Sequence, residues 1–314
     1  MLSTFFFARR GECMAEHSSS KSGEEDAWTV GRLLTWTTEW LGKQKSESPR
    51  LDAEVLLAFV RRCPRILLYT AFDEVVDDEC RQKFRELVRR RGQGEPVAYL
   101  VGSKEFFSIS LDVTADTLIP RPETEGLIVR ALDVWKEEFG GKSGMRVLDI
   151  GTGSGAIAVA IALHMKDAVL TATDISSAAL DVALVNAEKH SVSERIQFVQ
   201  ADVLEHQDLA GPWDIVLSNP PYVLEEEFDR LPDDVRLYEP RVALVGGPTG
   251  CEIVKRLVQQ SAGRLAPGGR LFIEIGPSTV LAAETIIAET PSIVGEPTVA
   301  DSAGLPRIVE ARAG

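Results

Sequence analysis

Four residues at the end of an apolar run have the types and spacing to act together. Asn219, Pro220, Pro221 and Tyr222 follow "WDIVLS", where a buried strand would finish. Neither proline has an N–H to donate, so a sheet ladder stops there in a stiff turn. Asn219 offers a side-chain carbonyl oxygen and Pro220 a main-chain carbonyl, two acceptors able to grip both hydrogens of a planar NH2 group. Tyr222 offers a ring face on which a flat amide or base can stack. An NH2 conjugated to a carbonyl or ring is a poor nucleophile, because its lone pair is delocalised. Acceptors on its hydrogens return electron density to nitrogen and aim it, so the chemistry is alkylation by positioning and electrostatics. A plain strand stop is the competing reading, and the rest of the chain weighs against it.

A second constellation begins at Gly151. Gly151, Thr152, Gly153, Ser154 and Gly155 follow "RVLDI" and lead into "AIAVAIA". Glycines there let the chain turn tightly and let a ligand approach a helix N-terminus. Asp174 ends the next strand, 19 residues after Gly155, where a carboxylate can accept both hydroxyls of a ribose. The loop alone fits NAD or S-adenosylmethionine. NAD wants glycines around a pyrophosphate, whereas a sulfonium must be presented to a nucleophile near the fourth strand, where Asn219 stands.

These residues need a scaffold. "RVLDI", "VLTATD", "IQFVQAD", "DIVLSN" and "RLFIEI" read as strands, with helices at about 155–166, 177–190, 249–265 and 278–289. Such alternation with apolar strands predicts an α/β doubly wound parallel sheet covered on both faces. "RIVEAR" adds a late edge strand. Upstream, residues 28 to about 92 carry three amphipathic helices, the first placing Trp28, Leu33, Leu34, Trp36 and Trp40 near one face. Ser48 and Pro49 read as the N-cap and first position of the second helix. The third begins near Asp77 and ends before Gly92; its Arg85, Arg89, Arg90 and Arg91 form a solvated face or a docking patch. Residues 97–119 read as a β-hairpin. The expected domains are a disordered extension over 1–24, a helical docking domain over 25–95, a hairpin linker over 96–122 and a catalytic domain over 123–314.

The chain has 314 residues, 44% hydrophobic and 26% charged, with a formal net charge of -14. That charge repels phosphate backbones and argues against a nucleic-acid substrate. No apolar stretch approaches the ~20 residues that span a bilayer. The scattered Cys13, Cys63, Cys80 and Cys251 and four histidines form no metal motif, and reduced thiols fit the cytoplasm. "MLSTFFFARR" leaves organelle targeting open, with Met14 as an alternative start.

Taken together, "GTGSG", Asp174 and "NPPY" resemble the class I (Rossmann-like) S-adenosyl-L-methionine-dependent methyltransferases of planar amino groups. "LIPRPETE" (Leu118–Glu125), "GEPVAYLVGSKEFF", "PRLDAEVLLA", "GGPTG" and "LAPGGRLFIEIG" narrow the resemblance to the HemK/PrmC family, from about Trp28 to Arg312. The resemblance implies methylation of the side-chain nitrogen of the glutamine in the Gly-Gly-Gln motif of class-1 peptide chain release factors. It implies that Gly151–Gly155 and Asp174 hold the cofactor. Asn219, Pro220, Pro221 and Tyr222 would hold the glutamine, with Asn219 also near the methionine end. Glu123 and Glu125 would organise the hairpin junction. Val203 stands where the family often has an aromatic beside the adenine. The alternatives are a glutamine methyltransferase of a ribosomal protein or an adenine amino-group methyltransferase of nucleic acid.

Overall fold

The computed structural model describes residues 27–44 and 46–314. The expected extension and Met14 lie outside the described residues. The chain divides into two compact units, one ending at Arg85 and the other running from Glu86 to Gly314.

The first unit holds α1 (Val30–Lys43), α2 (Pro49–Arg61), α3 (Leu67–Thr70) and the start of α4 (Asp78–Gly92). Thr29 caps α1 by accepting from Arg32 N at 3.3 Å. Val30, Leu33, Leu34 and Leu41 are buried, as are Leu56 and Leu57 of α2 and Phe84 of α4. The expected single face is split. Trp36 is 48% exposed, stacks on Trp40 at 6.2 Å and meets Trp28 edge-on at 6.5 Å. Positions 36 and 40 lie one turn apart and turn away from 34 and 41, with Leu33 between the two sides. Ser48 precedes Pro49 as expected, but its hydroxyl donates to Asp52 Oδ1 at 3.1 Å and makes no cap.

In the second unit the end of α4 is already ion-paired: Arg89 to Glu86 at 2.6 Å, Arg90 to Glu95, and Arg91 to Asp234 at 3.6 Å. The expected hairpin is shorter than 97–119. Residues Val97–Val101 form a helical turn, α5, and only β1 (Ser103–Phe106) and β2 (Ile109–Asp112) pair. Their two-residue turn has positive φ at Phe107 (48°) and Ser108 (62°), a geometry usually given to Asn-Gly. Glu125 holds it in place, accepting from Phe107 N at 2.9 Å. Glu125 begins the second position of α6 (Thr124–Glu137), a helix the sequence reading had not placed.

The remaining elements are β3 (Arg146–Ile150), α7 (Ala156–His164), β4 (Val169–Asp174), α8 (Ser177–Lys189), β5 (Ile196–Gln200), β6 (Trp213–Ser218), β7 (Val223–Leu224), α9 (Asp233–Tyr238), β8 (Val245–Gly247), α10 (Glu252–Ala262), β9 (Leu265–Glu274), α11 (Val280–Glu289), β10 (Ile293–Ala300) and β11 (Pro306–Ala313). Among the described residues the main sheet has seven strands in the order β10-β11-β9-β6-β3-β4-β5. Strands β3, β4, β5, β6 and β9 run parallel, and β11 runs antiparallel between β9 and β10. "RIVEAR" is therefore not at the edge. The edge on that side is β10, whose Gly295 and Pro297 weaken its strand signal and suit an outer position.

Side chains alternate across the sheet into two cores. Val147, Ile215, Leu217 and Phe272 pack with α6 and α7 on one face. Leu148, Val216, Leu271 and Ile273 pack with α10 and α11 on the other. Burial on both faces explains why the strands read as continuous apolar runs.

Candidate active site

The carboxyl ends of β3, β4 and β6 converge where the winding of the sheet reverses, the place open α/β sheets bind ligands. Ser218 Oγ donates to Ile150 O at 2.7 Å and ties the end of β6 to that of β3. The amides of Gly151 and Thr152 both donate to Thr173 O at 2.8 Å, which ties the glycine loop to β4. An open pocket, about 880 Å³ counting the solvent at its mouth, lies over these ends. Gly151, Gly153, Asp174, Val203, Asn219, Pro220 and Pro221 all line it. Thr152, Ser154, Gly155 and Tyr222 do not.

The glycines differ in what they do. Gly151 and Gly153 have φ of 73° and 56°, and a Cβ on either would meet nothing within 4 Å. Their backbone faces open space. Gly155, at φ 81°, would place a Cβ 3.1 Å from the Cα of Ala183 in α8, so its task is close helix packing. Thr152 turns inward, donating to Asp149 Oδ2 at 2.6 Å. Ser154 is buried, and its carbonyl accepts from Asn186 Nδ2 at 2.8 Å.

Asp174 Oδ2 accepts from Gly153 N and Oδ1 from Ser176 N, both at 2.9 Å. Burial raises its pKa against these amides. Each carboxylate oxygen keeps a lone pair for a further donor. Val203, with φ of 56°, is a β-branched residue in a region that such residues rarely enter. It forms an apolar wall with Ala201, Ile253 and Leu257.

Asn219 is oriented by a partner outside the motif. Its Nδ2 donates to Thr124 Oγ1 at 3.0 Å, which leaves Oδ1 as an uncommitted acceptor. Tyr222 packs behind the turn: burial pushes its hydroxyl up to about 12, and it donates to Glu274 Oε1 at 3.4 Å. Glycines hold the turn closely from behind. A Cβ on Gly246 would lie 2.4 Å from Pro221 O, and one on Gly250 would lie 2.5 Å from Tyr222 O.

Four supporting residues escaped sequence reasoning. Thr124 opens the unplaced α6. Asp149, buried under the glycine loop, also accepts from Ala158 N at 3.2 Å, while its Oδ1 makes no hydrogen bond. Burial pushes it up to about 7. Asn186 exchanges bonds with Asp112 (2.6 and 2.9 Å) and so ties the hairpin to the glycine loop. Glu274 ends β9. A charged or amide residue inside an apolar run was the available signal for Asp149 and Glu274.

The chain matches two family models, the PrmC N-terminal domain over residues 32–102 and the methyltransferase small domain over residues 129–231. The release factor glutamine methyltransferase of Rhodopirellula baltica is 47% identical over 92% of this chain and 98% of its own. The protein of that name from Chlorobaculum tepidum is 40% identical over 80% of this chain and 87% of its own. A crystal structure of the hMettl16 catalytic domain, in complex with an RNA hairpin, superposes with a TM-score of 0.51 at 19% identity. It covers 73% of this chain and 82% of that one, and it shows the fold alone. That fold is the class I methyltransferase sheet expected. On the sequence relatives, this protein belongs to the release factor glutamine methyltransferase family.

Proposed function

We propose that this chain transfers a methyl group from S-adenosyl-L-methionine to the side-chain amide nitrogen of the glutamine in the Gly-Gly-Gln motif of class-1 peptide chain release factors, giving N5-methylglutamine. The observation that carries the reading is the fixed amide of Asn219: Nδ2 is held by Thr124, and Oδ1 is left to accept. When bound, the cofactor supplies an electrophilic methyl group on a cationic sulfur.

The residues present fit that cofactor. Gly151 and Gly153 offer unobstructed backbone, Asp174 offers lone pairs for ribose hydroxyls, and Val203 and Leu257 offer an apolar wall for a base. Thr152, Ser154 and Gly155 shape the loop from within. Asn219 Oδ1 and the carbonyl of Pro220 align the substrate NH2, while the prolines keep both acceptors aimed without an ordering cost at each turnover. Nitrogen gains a methyl and becomes acidic, so its surplus proton leaves without a strong base. Tyr222 acts from behind the turn, by fixing it, in place of the open stacking face expected. The helical unit is assigned to docking of the release factor, a step that belongs in the cytoplasm where translation occurs.

The test is transfer of labelled methyl by the purified protein to an intact release factor, a ribosomal protein, and DNA or RNA in parallel. Label on the release factor alone is expected. Label on ribosomal protein or nucleic acid in its place would overturn the substrate assignment.

A further inference from the structure

Behind the Asn219–Tyr222 turn stands a carboxyl group that the chemistry above does not use. Glu274 is the last residue of β9 and is 1% exposed. Ile273 pairs with Ser218, so Glu274 lies level with Asn219 on the neighbouring strand. The hydroxyl of Tyr222 donates to Oε1 at 3.4 Å. Gly276 makes room for the tyrosine ring: a Cβ there would lie 3.1 Å from Tyr222 Cδ2. The buried Thr124 hydroxyl favours the ionised form of the same carboxyl without completing a hydrogen bond to it, and Oε2 has no partner.

That arrangement is unfavourable as mere packing. Burial pushes the carboxyl up to about 7, opposed by Thr124, Arg307 and Tyr222, and reinforced by the charge of Glu123. Arg307, the nearby cation, already spends Nε and an Nη on Asp301 at 3.3 and 3.2 Å. An apolar or amide side chain would fill the place at lower cost. A buried group that weakens the fold beside reacting residues is where function is expected to be traded against stability.

We propose that Glu274 is a positioning residue for the methyl transfer, fixing Tyr222 directly and the amide of Asn219 through Thr124. This rests on the function proposed above. A threonine hydroxyl has one proton. With that proton drawn toward Glu274, Thr124 Oγ1 presents a lone pair to Asn219 and accepts from Nδ2, as observed at 3.0 Å. Asn219 Oδ1 is thereby turned to the substrate. Without the carboxyl, the hydroxyl is free to donate to Asn219 Oδ1 instead. The amide then turns over and sets its own NH2 against the NH2 to be methylated, donor against donor. Glu274 thus selects which end of Asn219 the substrate meets.

The experiment compares the wild type, Glu274→Leu, Glu274→Gln, Thr124→Val and the Glu274→Leu/Thr124→Val pair on an intact release factor. Turnover, cofactor affinity and melting at pH 8 are measured together. Glu274→Leu is expected to lower kcat by about 10²-fold, the scale of a misplaced reacting group, with cofactor Kd nearly unchanged. Thr124→Val should cost a similar or smaller factor, and the double variant no more than Glu274→Leu alone, because Thr124 acts on the amide that Glu274 controls. Glu274→Gln keeps the volume and one acceptor, so it should fall between wild type and Glu274→Leu and melt no lower than wild type. Near-normal kcat in Glu274→Leu, fully multiplicative losses in the pair, or losses that follow cofactor affinity and melting would each overturn the role. If Glu274→Leu fails to fold, wild-type turnover in Glu274→Gln together with Thr124→Val overturns it. A wild type that methylates no release factor would contradict the functional reading itself.

Discussion

At the scale of single residues, the site separates groups that face the ligand pocket from groups that hold them. Asn219 belongs to the first kind, because its amide nitrogen is occupied and its oxygen is not. Asn219→Ala should therefore lower kcat by roughly 10²-fold or more, as loss of one aimed partner at a reacting centre does. Cofactor affinity, measured by calorimetry, should change far less; equal losses in both would move Asn219 into the cofactor site. Asp174 is the converse case. Its carboxylate is fixed by the amides of Gly153 and Ser176, and it lines the pocket at the end of β4, with β3 between it and the Asn219 turn. Asp174→Ala should weaken S-adenosyl-L-methionine by about 2–3 kcal/mol, the scale of charged hydrogen bonds. NAD should bind neither form, and micromolar NAD binding would reverse the choice of cofactor.

At the scale of elements, the site depends on ties between segments far apart in sequence. Asn186 in α8 is fully buried and joins Asp112 of the hairpin to Ser154 of the glycine loop. Asn186→Ala removes the partner of the part-buried Asp112 backbone groups and of buried Ser154 O, and should cost about 1–3 kcal/mol of stability, read from urea unfolding. It should also loosen cofactor binding; a stable variant with unchanged affinity would show that the hairpin does not support the loop. Such ties explain what was legible beforehand. Strands buried on both faces read directly from "RVLDI" and "DIVLSN", and the glycine loop and proline turn fall at their ends. The residues of α6 have helical spacing, but its first two, Thr124 and Glu125, stand in "PRPETE", whose two prolines read as loop, so Thr124 went unplaced. Edge strand β10 was hidden by Gly295 and Pro297. Thr124, Asn186 and Glu274 act through partners far away in the chain, Asn219 for Thr124 at 95 positions and Asp112 for Asn186 at 74, and local pattern holds no trace of that.

At the scale of the whole molecule, two buried carboxyls beside the site link stability to pH. Asp149 and Glu274 are both pushed up to about 7 by burial, from ordinary values of 3.8 and 4.5. Between those limits the folded chain holds protons that the unfolded chain has released. Stability is then greatest below the unfolded values and falls as pH rises toward 7. The formal net charge of -14 acts in the same direction by self-repulsion. Melting temperature should therefore decline from pH 5 to pH 8, and Asp149→Asn or Glu274→Gln should flatten the decline; a steeper decline in both would show the sign to be wrong. The central claim concerns one nitrogen atom on another protein. Its most direct measurement is fragment-ion mass spectrometry of an unmethylated release factor after incubation with this protein and S-adenosyl-L-methionine. The account predicts one added methyl group, carried on the side chain of the glutamine in Gly-Gly-Gln and missing when Asn219→Ala replaces the wild type. A methyl group on any other residue, or an equal yield from Asn219→Ala, would contradict it.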